Sequence, residues 1–371
     1  RSMTDLLEGV RVIDLSQWLP GPAAGQLLAD LGAEVIKVEP PAGDPMRRLG
    51  PLDEDAISVW YKLVNAGKKV VRLDLKSEAG RGAFASLLSA ADVLLESYRP
   101  GTLEKLGFDL ERRQQLSPSL VHCALSGYGQ TGPLAQSAGH DINYLSLGGG
   151  LLASGPAERP VAAFPPIADH ASALQAVTAI LAALLRRQRT GQGASLDISL
   201  TETVLAWQAL PLTAALREGE LGREEGVLNG GAAFYRIYRC ADGRFVSLGA
   251  IEPKFWANFC RAVKREAWIE RQEEPLPQTE LSAEVAELFA SLPLEHWESL
   301  LGEVDCCFQP VLTPREVLSH RQIRARGQLT QIEGADARIE VGFGGWIDHQ
   351  PPARRAPLGE LTPEEALARW R

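Results

Sequence analysis

The sequence is poor in the features that mark disulfide-bonded, metal-binding or nucleic-acid-binding chains. Cysteine is scarce: five in 371 residues, at 123, 240, 260, 306 and 307. The count is odd and the only close pair is adjacent, which is neither a disulfide framework nor a zinc spacing. A reducing, cytoplasmic setting is therefore expected, with no metal. Basic residues are outnumbered, 38 against 47 acidic, for a net charge of −9. Nucleic-acid binding depends on neutralising phosphates and is not expected, although a few local cations could still hold an anionic small molecule. Arg1-Ser2 ahead of Met3 are set aside as an addition to the natural start, and no apolar stretch follows them, so no secretory signal is expected. The longest apolar run, Ala171 to Leu185, contains Gln175 and Thr178 and is short for a bilayer. It reads as a buried helix, and no membrane partner is expected. Serine-nucleophile, P-loop and zinc signatures, internal repeats and low-complexity tracts are also missing.

What remains is globular: 45% hydrophobic and 23% charged residues. The length allows two to three domains. Val10–Ser16 (VRVIDLS) has the pattern of a buried strand, bounded by Gly9 and a Pro20-Gly21-Pro22 breaker. Ala23–Leu31 reads as a helix stopped by Gly32, and Glu34–Val38 as the next strand. Strand, helix, strand over so short a span is a βαβ unit and calls for a parallel sheet. The theme recurs in a helix near Glu78–Ala90, a strand at Asp92–Glu96 and another at Leu120–Leu125. The expected class is α/β, a doubly wound parallel sheet, with a smaller α+β domain behind it. That smaller domain opens on a hairpin, Arg236–Ala250, turning at Ala241-Asp242-Gly243, with helical stretches to about 300. Arg338–Gly342 and a helix at Pro363–Trp370 are expected to return to the first domain. The expected bounds are 1–197 for the large domain, 198–226 a linker, 227–312 the small domain, 313–335 a linker and 336–371 the return.

Gly127-Tyr-Gly-Gln-Thr-Gly132 fits the G-x-G-x-x-G fingerprint and follows a predicted strand. Pro133 and a Gly- and Ser-rich loop come next, so the helix N-terminus that would receive a pyrophosphate is missing. A loop that turns tightly or admits a ligand to the backbone is the better reading. Asp169 precedes the apolar helix expected to start near Ala171. As an N-cap it would satisfy free N–H groups, worth about 1 kcal/mol. In a functional role the helix dipole would hold it ionised, and the adjacent N–H groups would stabilise an oxyanion. His140 lies in a polar cluster, Ala138-Gly-His-Asp-Ile-Asn-Tyr144, entering an apolar element; His170 is a rival expected to point elsewhere. Glu252, before Pro253 at a strand end, reads on its own as a solvated helix-start residue. Lys37, Lys68, Lys69, Lys76 and Arg99 sit near the ends of early strands, and together would suit phosphates.

With these pieces placed, the chain resembles the class III coenzyme A transferase and alpha-methylacyl-CoA racemase family, the CaiB/BaiF type. The likeness runs through the opening GVRVIDLSQWLPGPAAGQLLADLGAEVIKVEPPAGDPMR, then LVNAGKKVVRLDLKS (63–77) and ADVLLESYRPGTLEKLGFD (91–109). It continues through LSGYGQTGP (125–133), the Asp169 segment and APLGELT (356–362). The resemblance implies large and small domains in an interlocked homodimer. It implies a coenzyme A thioester as substrate and no permanently bound cofactor. The coenzyme site it implies falls on Gln17, Trp18, Leu19 and Pro20, on Leu73 and Lys76, on Tyr98 and Arg99, and on Lys105. The catalytic aspartate it implies is Asp169. AGHDINY resembles the racemase motif that supplies a histidine, here His140. GAIEPKFW (249–256) resembles the racemase segment whose glutamate, here Glu252, supports that histidine, and CCFQPVL (306–312) is similar to the stretch that follows. The chain departs from the family pattern at Pro40 and Ala66, where arginines are common, and at Ala168 and 170–173, where glycines are usual.

Two activities follow from the resemblance. In a 2-methylacyl-CoA racemase, Asp169 and His140 would exchange a proton across the α-carbon through an enolate, with Glu252 orienting His140. In a CoA-transferase, Asp169 would attack the donor thioester and carry the coenzyme as an aspartyl-CoA to an acceptor acid. A nicotinamide-dependent oxidoreductase rests on the glycine loop alone, and a non-catalytic binding protein on the departures around 168–173.

Overall fold

The computed structural model describes residues 5–371; Arg1-Ser2 and Met3 fall outside the described residues. Twelve strands run along the described residues. They are β1 (Arg11–Asp14), β2 (Glu34–Glu39), β3 (Lys69–Arg72), β4 (Val93–Glu96), β5 (Val121–Ser126), β6 (Ala194–Ser199), β7 (Tyr235–Arg239), β8 (Phe245–Gly249), β9 (Phe308–Pro310), β10 (Leu329–Ile332), β11 (Arg338–Val341) and β12 (Gly359–Leu361). The chain divides into two compact units. The first holds residues up to Gly148, Phe164–Ala206 and Leu318–Arg371; the second holds Gly149–Ala163 and Trp207–Val317.

The first unit is built on a seven-stranded sheet in the order β12-β3-β2-β1-β4-β5-β6. Every neighbouring pair is parallel. Parallel strands need covered faces, and the sequences obey: Val93, Leu94 and Leu95 of β4 and Val12 and Ile13 of β1 are fully buried. The helices between strands are α1 (Pro20–Asp30), α2 (Val59–Asn65), α3 (Glu78–Ser89), α4 (Thr102–Lys105), α5 (Leu110–Leu116), α6 (Asp141–Leu147), α7 (Ile167–Thr190) and α8 (Leu200–Leu205). A helix joining parallel strands must run back against them, so helix N-termini gather at the carboxyl edge of the sheet. The chain leaves β1 towards β2 and β3 on one side and towards β4, β5 and β6 on the other. The crevice between β1 and β4 is therefore the topological switch point, where ligands of open α/β sheets bind.

Several sequence expectations shift by a physical reason. Pro20-Gly21-Pro22 does not break the chain but forms the first turn of α1, with Leu19 as its N-cap. Proline there loses nothing, since its missing N–H would have had no intrahelical partner. The helix carrying Asp169 begins at Ile167, not near Ala171, and it is only half covered. Its buried side packs on β5 and β6, whereas Leu174 and Leu185 are exposed. By length and composition it could cross a membrane. Arg338–Val341 does return to the first unit but pairs antiparallel with β10, not with the large sheet. The strand that rejoins that sheet is β12, alongside β3. The unit bounds also differ from those read from the sequence. The Gly- and Ser-containing segment 149–163 goes with the second unit, α8 caps β6 in the first, and no long linker follows.

The second unit is a three-stranded antiparallel sheet, β7-β8-β9, with helices. They are α9 (Ala209–Glu218), α10 (Pro253–Ala262), α11 (Thr279–Ala290) and α12 (Leu294–Leu301). The predicted hairpin is β7–β8, and Gly243 takes the left-handed turn position with φ 79°. Phe289 centres the core, stacked on Tyr238 and Phe259 and edge-on to Trp297.

Candidate active site

The turn after β1 carries the first group of expected coenzyme residues. Leu15 N–H donates to the Leu95 carbonyl, and Gln17 N–H donates to Ser97 Oγ at 3.1 Å. These bonds put the turn across the β1/β4 crevice. Trp18 is exposed and left-handed, with φ 67°, a conformation that costs a non-glycine residue roughly 1–2 kcal/mol. On the other side of the crevice, Tyr98 N–H donates to Glu96 Oε2 at 3.1 Å, and burial beside Glu96 pushes the Tyr98 hydroxyl up to about 12. Arg99 is exposed beyond it, and Lys105 closes α4. Past β3, Leu73 is buried with its N–H on the Glu39 carbonyl, and Lys76 is exposed. Among the described residues Lys76, Arg99 and Lys105 make no ion pair and stay available to an anion. Gln17–Pro20 and Tyr98–Arg99 thus meet at one crevice, with Leu73 and Lys76 following β3, which β2 separates from β1.

The expectation that Lys37 and Lys68 face phosphates is overturned. Both are fully buried. Lys68 Nζ donates to Asp14 Oδ2 at 2.9 Å, Asn65 Oδ1 at 2.7 Å and the Pro22 carbonyl at 2.8 Å. Lys37 Nζ donates to Asp44 Oδ2 at 2.9 Å and the Ser16 carbonyl at 2.7 Å. Burial alone would raise the Asp14 pKa, but Lys68, Lys37 and the Ser16 hydroxyl together hold it below the ordinary carboxylate value. A lysine inside an apolar strand, as in Glu34-Val-Ile-Lys-Val-Glu39, was the available signal for such a pair.

Asp169 sits in the first turn of α7, two residues past the helix start, and makes no cap. Its backbone N–H donates to Asp141 Oδ2 at 3.0 Å. Asp141 opens α6, and His140 is the N-cap of that helix. The His140 N–H donates to Asn143 Oδ1 at 3.0 Å. Two helix starts are thereby stitched together, with His140, Asp141 and Asp169 in one corner. The dipole does not hold Asp169 ionised as expected. Burial, together with the neighbouring Asp141 charge, raises its pKa to about 7. The oxyanion expectation changes too. The His170 N–H already bonds the Pro166 carbonyl at 3.4 Å, and the Asp169 N–H is taken by Asp141. The first-turn donors left without an intrahelical acceptor are those of Ile167 and Ala168.

Tyr144, one turn into α6, explains the glycine loop. Its hydroxyl donates to the Gly139 carbonyl at 2.5 Å, directly before His140, and its ring lies edge-on to Tyr128 at 5.1 Å. A Cβ at Gly127 would fall 2.4 Å from the Tyr144 ring, and Gly129 and Gly132 have φ of 92° and 94°. The loop is shaped for a tyrosine and two left-handed turns, not for a dinucleotide. Burial, then Tyr128 and Asp169, raise the Tyr144 hydroxyl to about 12 against the pull of Arg99. That places Arg99 within electrostatic reach of the corner. Asp141 and Tyr144 were not singled out from the sequence; a carboxylate in the first turn and a tyrosine at i+4 from the N-cap were the signals. His170 lines a cavity of about 950 Å³ in the first unit, together with Leu19, Pro166, Trp60, Arg338 and Arg354. Glu252 belongs to the second unit, at the N-cap of α10, where its carbonyl accepts from the Phe255 and Trp256 N–H groups.

The profile of CoA-transferase family III matches residues 7–359. The chain belongs to CoA-transferase family III. Among its relatives, the alpha-methylacyl-CoA racemase of Mus musculus is 36% identical over 97% of this chain and 92% of its own. The succinyl-CoA–D-citramalate CoA-transferase of Chloroflexus aurantiacus is 33% identical over 89% of this chain and 84% of its own. Among solved structures, a CaiB/BaiF family protein from Brucella suis superposes with a TM-score of 0.83 at 26% identity, covering 98% of each chain. Family III membership supports an enzyme that acts on acyl-CoA, either a racemase or a transferase.

Proposed function

We propose that this family III enzyme is a 2-methylacyl-CoA racemase, moving the α-proton from one face of the thioester to the other through an enolate. The observation that carries the reading is the Asp169 carboxyl, whose pKa of about 7 suits a group that must both give and take a proton at neutral pH. Imidazole is the other side chain suited to that exchange, and His140 stands at the start of the helix bonded to Asp169. In this reading one of the two removes the α-proton and the other returns a proton to the opposite face. The Ile167 and Ala168 N–H groups receive the enolate oxygen. The coenzyme lies over Gln17–Pro20, Leu73 and Lys76, Tyr98 and Arg99, with Lys105 beyond. The five unpaired cysteines, four of them buried, suit a cytoplasmic setting.

The enzyme works as a homodimer in this account. Helix α9 buries no residue in the single chain, yet Leu210 and Leu216 are 83% and 90% exposed. Such a helix needs a partner surface to be stable in water, and the exposed Leu174 and Leu185 of α7 present a second apolar face.

A CoA-transferase is the second reading, favoured by the transferase relative of similar coverage. There the Asp169 carboxylate attacks the thioester carbon and expels the coenzyme thiolate, giving a mixed anhydride; the thiolate then attacks the aspartyl carbonyl, which releases the donor acid and leaves an aspartyl-CoA. One experiment separates the two. A single epimer of a 2-methylacyl-CoA is incubated with folded enzyme in deuterium oxide. Racemisation with α-deuterium incorporation, lost in His140→Ala, is the expected result. An absence of exchange together with a trappable Asp169 adduct would assign the transferase instead.

A further inference from the structure

We propose that Lys37 and Lys68 are positioning residues for the coenzyme, holding from beneath the sheet edge the turn on which it docks. The inference rests on the reading above that Gln17–Pro20 receives the coenzyme. The two ammonium groups grip that turn at its ends: Lys37 donates to the Ser16 carbonyl and Lys68 to the Pro22 carbonyl. Between these carbonyls lies Trp18 with φ 67°, a conformation that persists only where its surroundings dictate it. Asp14 holds the same turn from within, accepting from the Ser16 N–H at 2.8 Å and from the Ser16 hydroxyl.

Stability alone is a poor account of this cluster. Two lysines and two aspartates have been taken wholly out of water. Apolar side chains of like volume often serve a core as well or better than buried ion pairs. Apolar side chains, however, cannot donate to the Ser16 carbonyl or to the Pro22 carbonyl at the start of α1. All three Lys68 hydrogens are spent: one on Asp14, one on Asn65 and one on the turn. Helix α1 is pressed onto the cluster. A Cβ at Gly25 would lie 2.7 Å from Asp14 Oδ2, and one at Gly21 would lie 2.1 Å from Ser16 Cβ. A change in the cluster is therefore passed directly to the backbone of residues 16–22.

Lys68→Met alone strands a buried carboxylate and can unfold the unit. The decisive variants are the charge-neutral pairs Asp14→Asn with Lys68→Met and Asp44→Asn with Lys37→Met. Free coenzyme A is titrated calorimetrically, backbone amide exchange is followed over residues 15–23, and KM and kcat are measured with an acyl-CoA. The expected result is folded variants whose Kd and KM rise about tenfold, equivalent to about 1.4 kcal/mol, with kcat at saturation within about twofold. Amides of the turn exchange faster in these variants, whereas a purely structural role would move stability without splitting KM from kcat. A folded neutral pair with wild-type Kd and unchanged exchange in the turn overturns the proposal. Coenzyme A that binds the wild-type enzyme without slowing amide exchange at residues 17–19 overturns it as well, by removing the docking reading beneath it.

Discussion

Asp14 and Asp169 lie on the same unit, both withdrawn from water, and burial drives them in the same direction. Their pKa values nevertheless move apart. Asp14 is held below the ordinary 3.8 because Lys68, Lys37 and Ser16 surround it. Asp169 climbs to about 7 because burial raises it and the neighbouring Asp141 charge reinforces that push instead of opposing it. Burial sets how large a shift can be, and neighbours set its sign. A carboxylate whose every lone pair is answered is fixed in one protonation state and can only hold structure. One left next to a like charge is poised between two states, which is what proton transfer requires.

The contrast is most severely tested at Asp169 itself. Asp169→Asn is expected to lower α-deuterium exchange by about 10³-fold, measured by mass spectrometry of the recovered thioester. The same change should stabilise the fold above neutrality. Between 3.8 and about 7 the folded chain keeps a proton on Asp169 that the unfolded chain has lost, so wild-type stability falls as pH rises through that window. Asp169→Asn removes that loss, a gain of roughly 1–2 kcal/mol at pH 8 after allowing for solvent screening at a half-buried site. Melting curves at pH 5 and pH 8 should converge on the acid side and part on the alkaline side. Curves that part at pH 5 instead would reverse the comparison.

Lys68→Met probes the other side. It leaves Asp14 buried without its main partner, at a cost of about 3–5 kcal/mol in denaturant unfolding. For Asp14 the sign is opposite to that of Asp169: its stabilisation is full above 3.8 and is lost as pH falls through the depressed value. The destabilisation by Lys68→Met should accordingly shrink in strong acid. The smallest effect is expected from Asp141→Asn, which keeps an acceptor for the Asp169 N–H but removes the charge. The pH at which kcat/KM rises should move down from about 7, and an unmoved profile would leave burial as the whole cause of the shift.

The fold was legible where strands are apolar runs with clear punctuation. Val10–Ser16, Glu34–Val38, Asp92–Glu96, Leu120–Leu125 and the hairpin at Arg236–Ala250 all appear as strands within a few residues. β3 and β6 were harder to see, because Lys69-Val-Val-Arg72 is short and Ala194-Ser-Leu-Asp-Ile-Ser199 alternates like a half-exposed strand. His140 and Asp169 were named from the sequence, but the electrostatics around them were not legible there. The nearness of Asp169 to His140 rests on a bond from Asp169 to Asp141, 28 residues earlier, and no periodicity encodes that. The lysines misled because composition counts charges without knowing which are buried: Lys37 and Lys68 are spent inside, while Arg99 stays outside.

Strand β12 has a bearing on how the molecule is made. Residues 359–361 zip onto the outer flank of β3, Gly67 N–H donates to the Ala356 carbonyl, and Arg369 pairs with Glu34. During translation β3 emerges long before β12. Until β12 emerges the nascent sheet carries an open rim of hydrogen-bonding groups, ready to capture a neighbouring chain. Emergence of residues 359–361 shuts that rim, so a polypeptide halted just short of them is expected to be prone to clumping even though the corner of His140, Asp141 and Asp169 is already made.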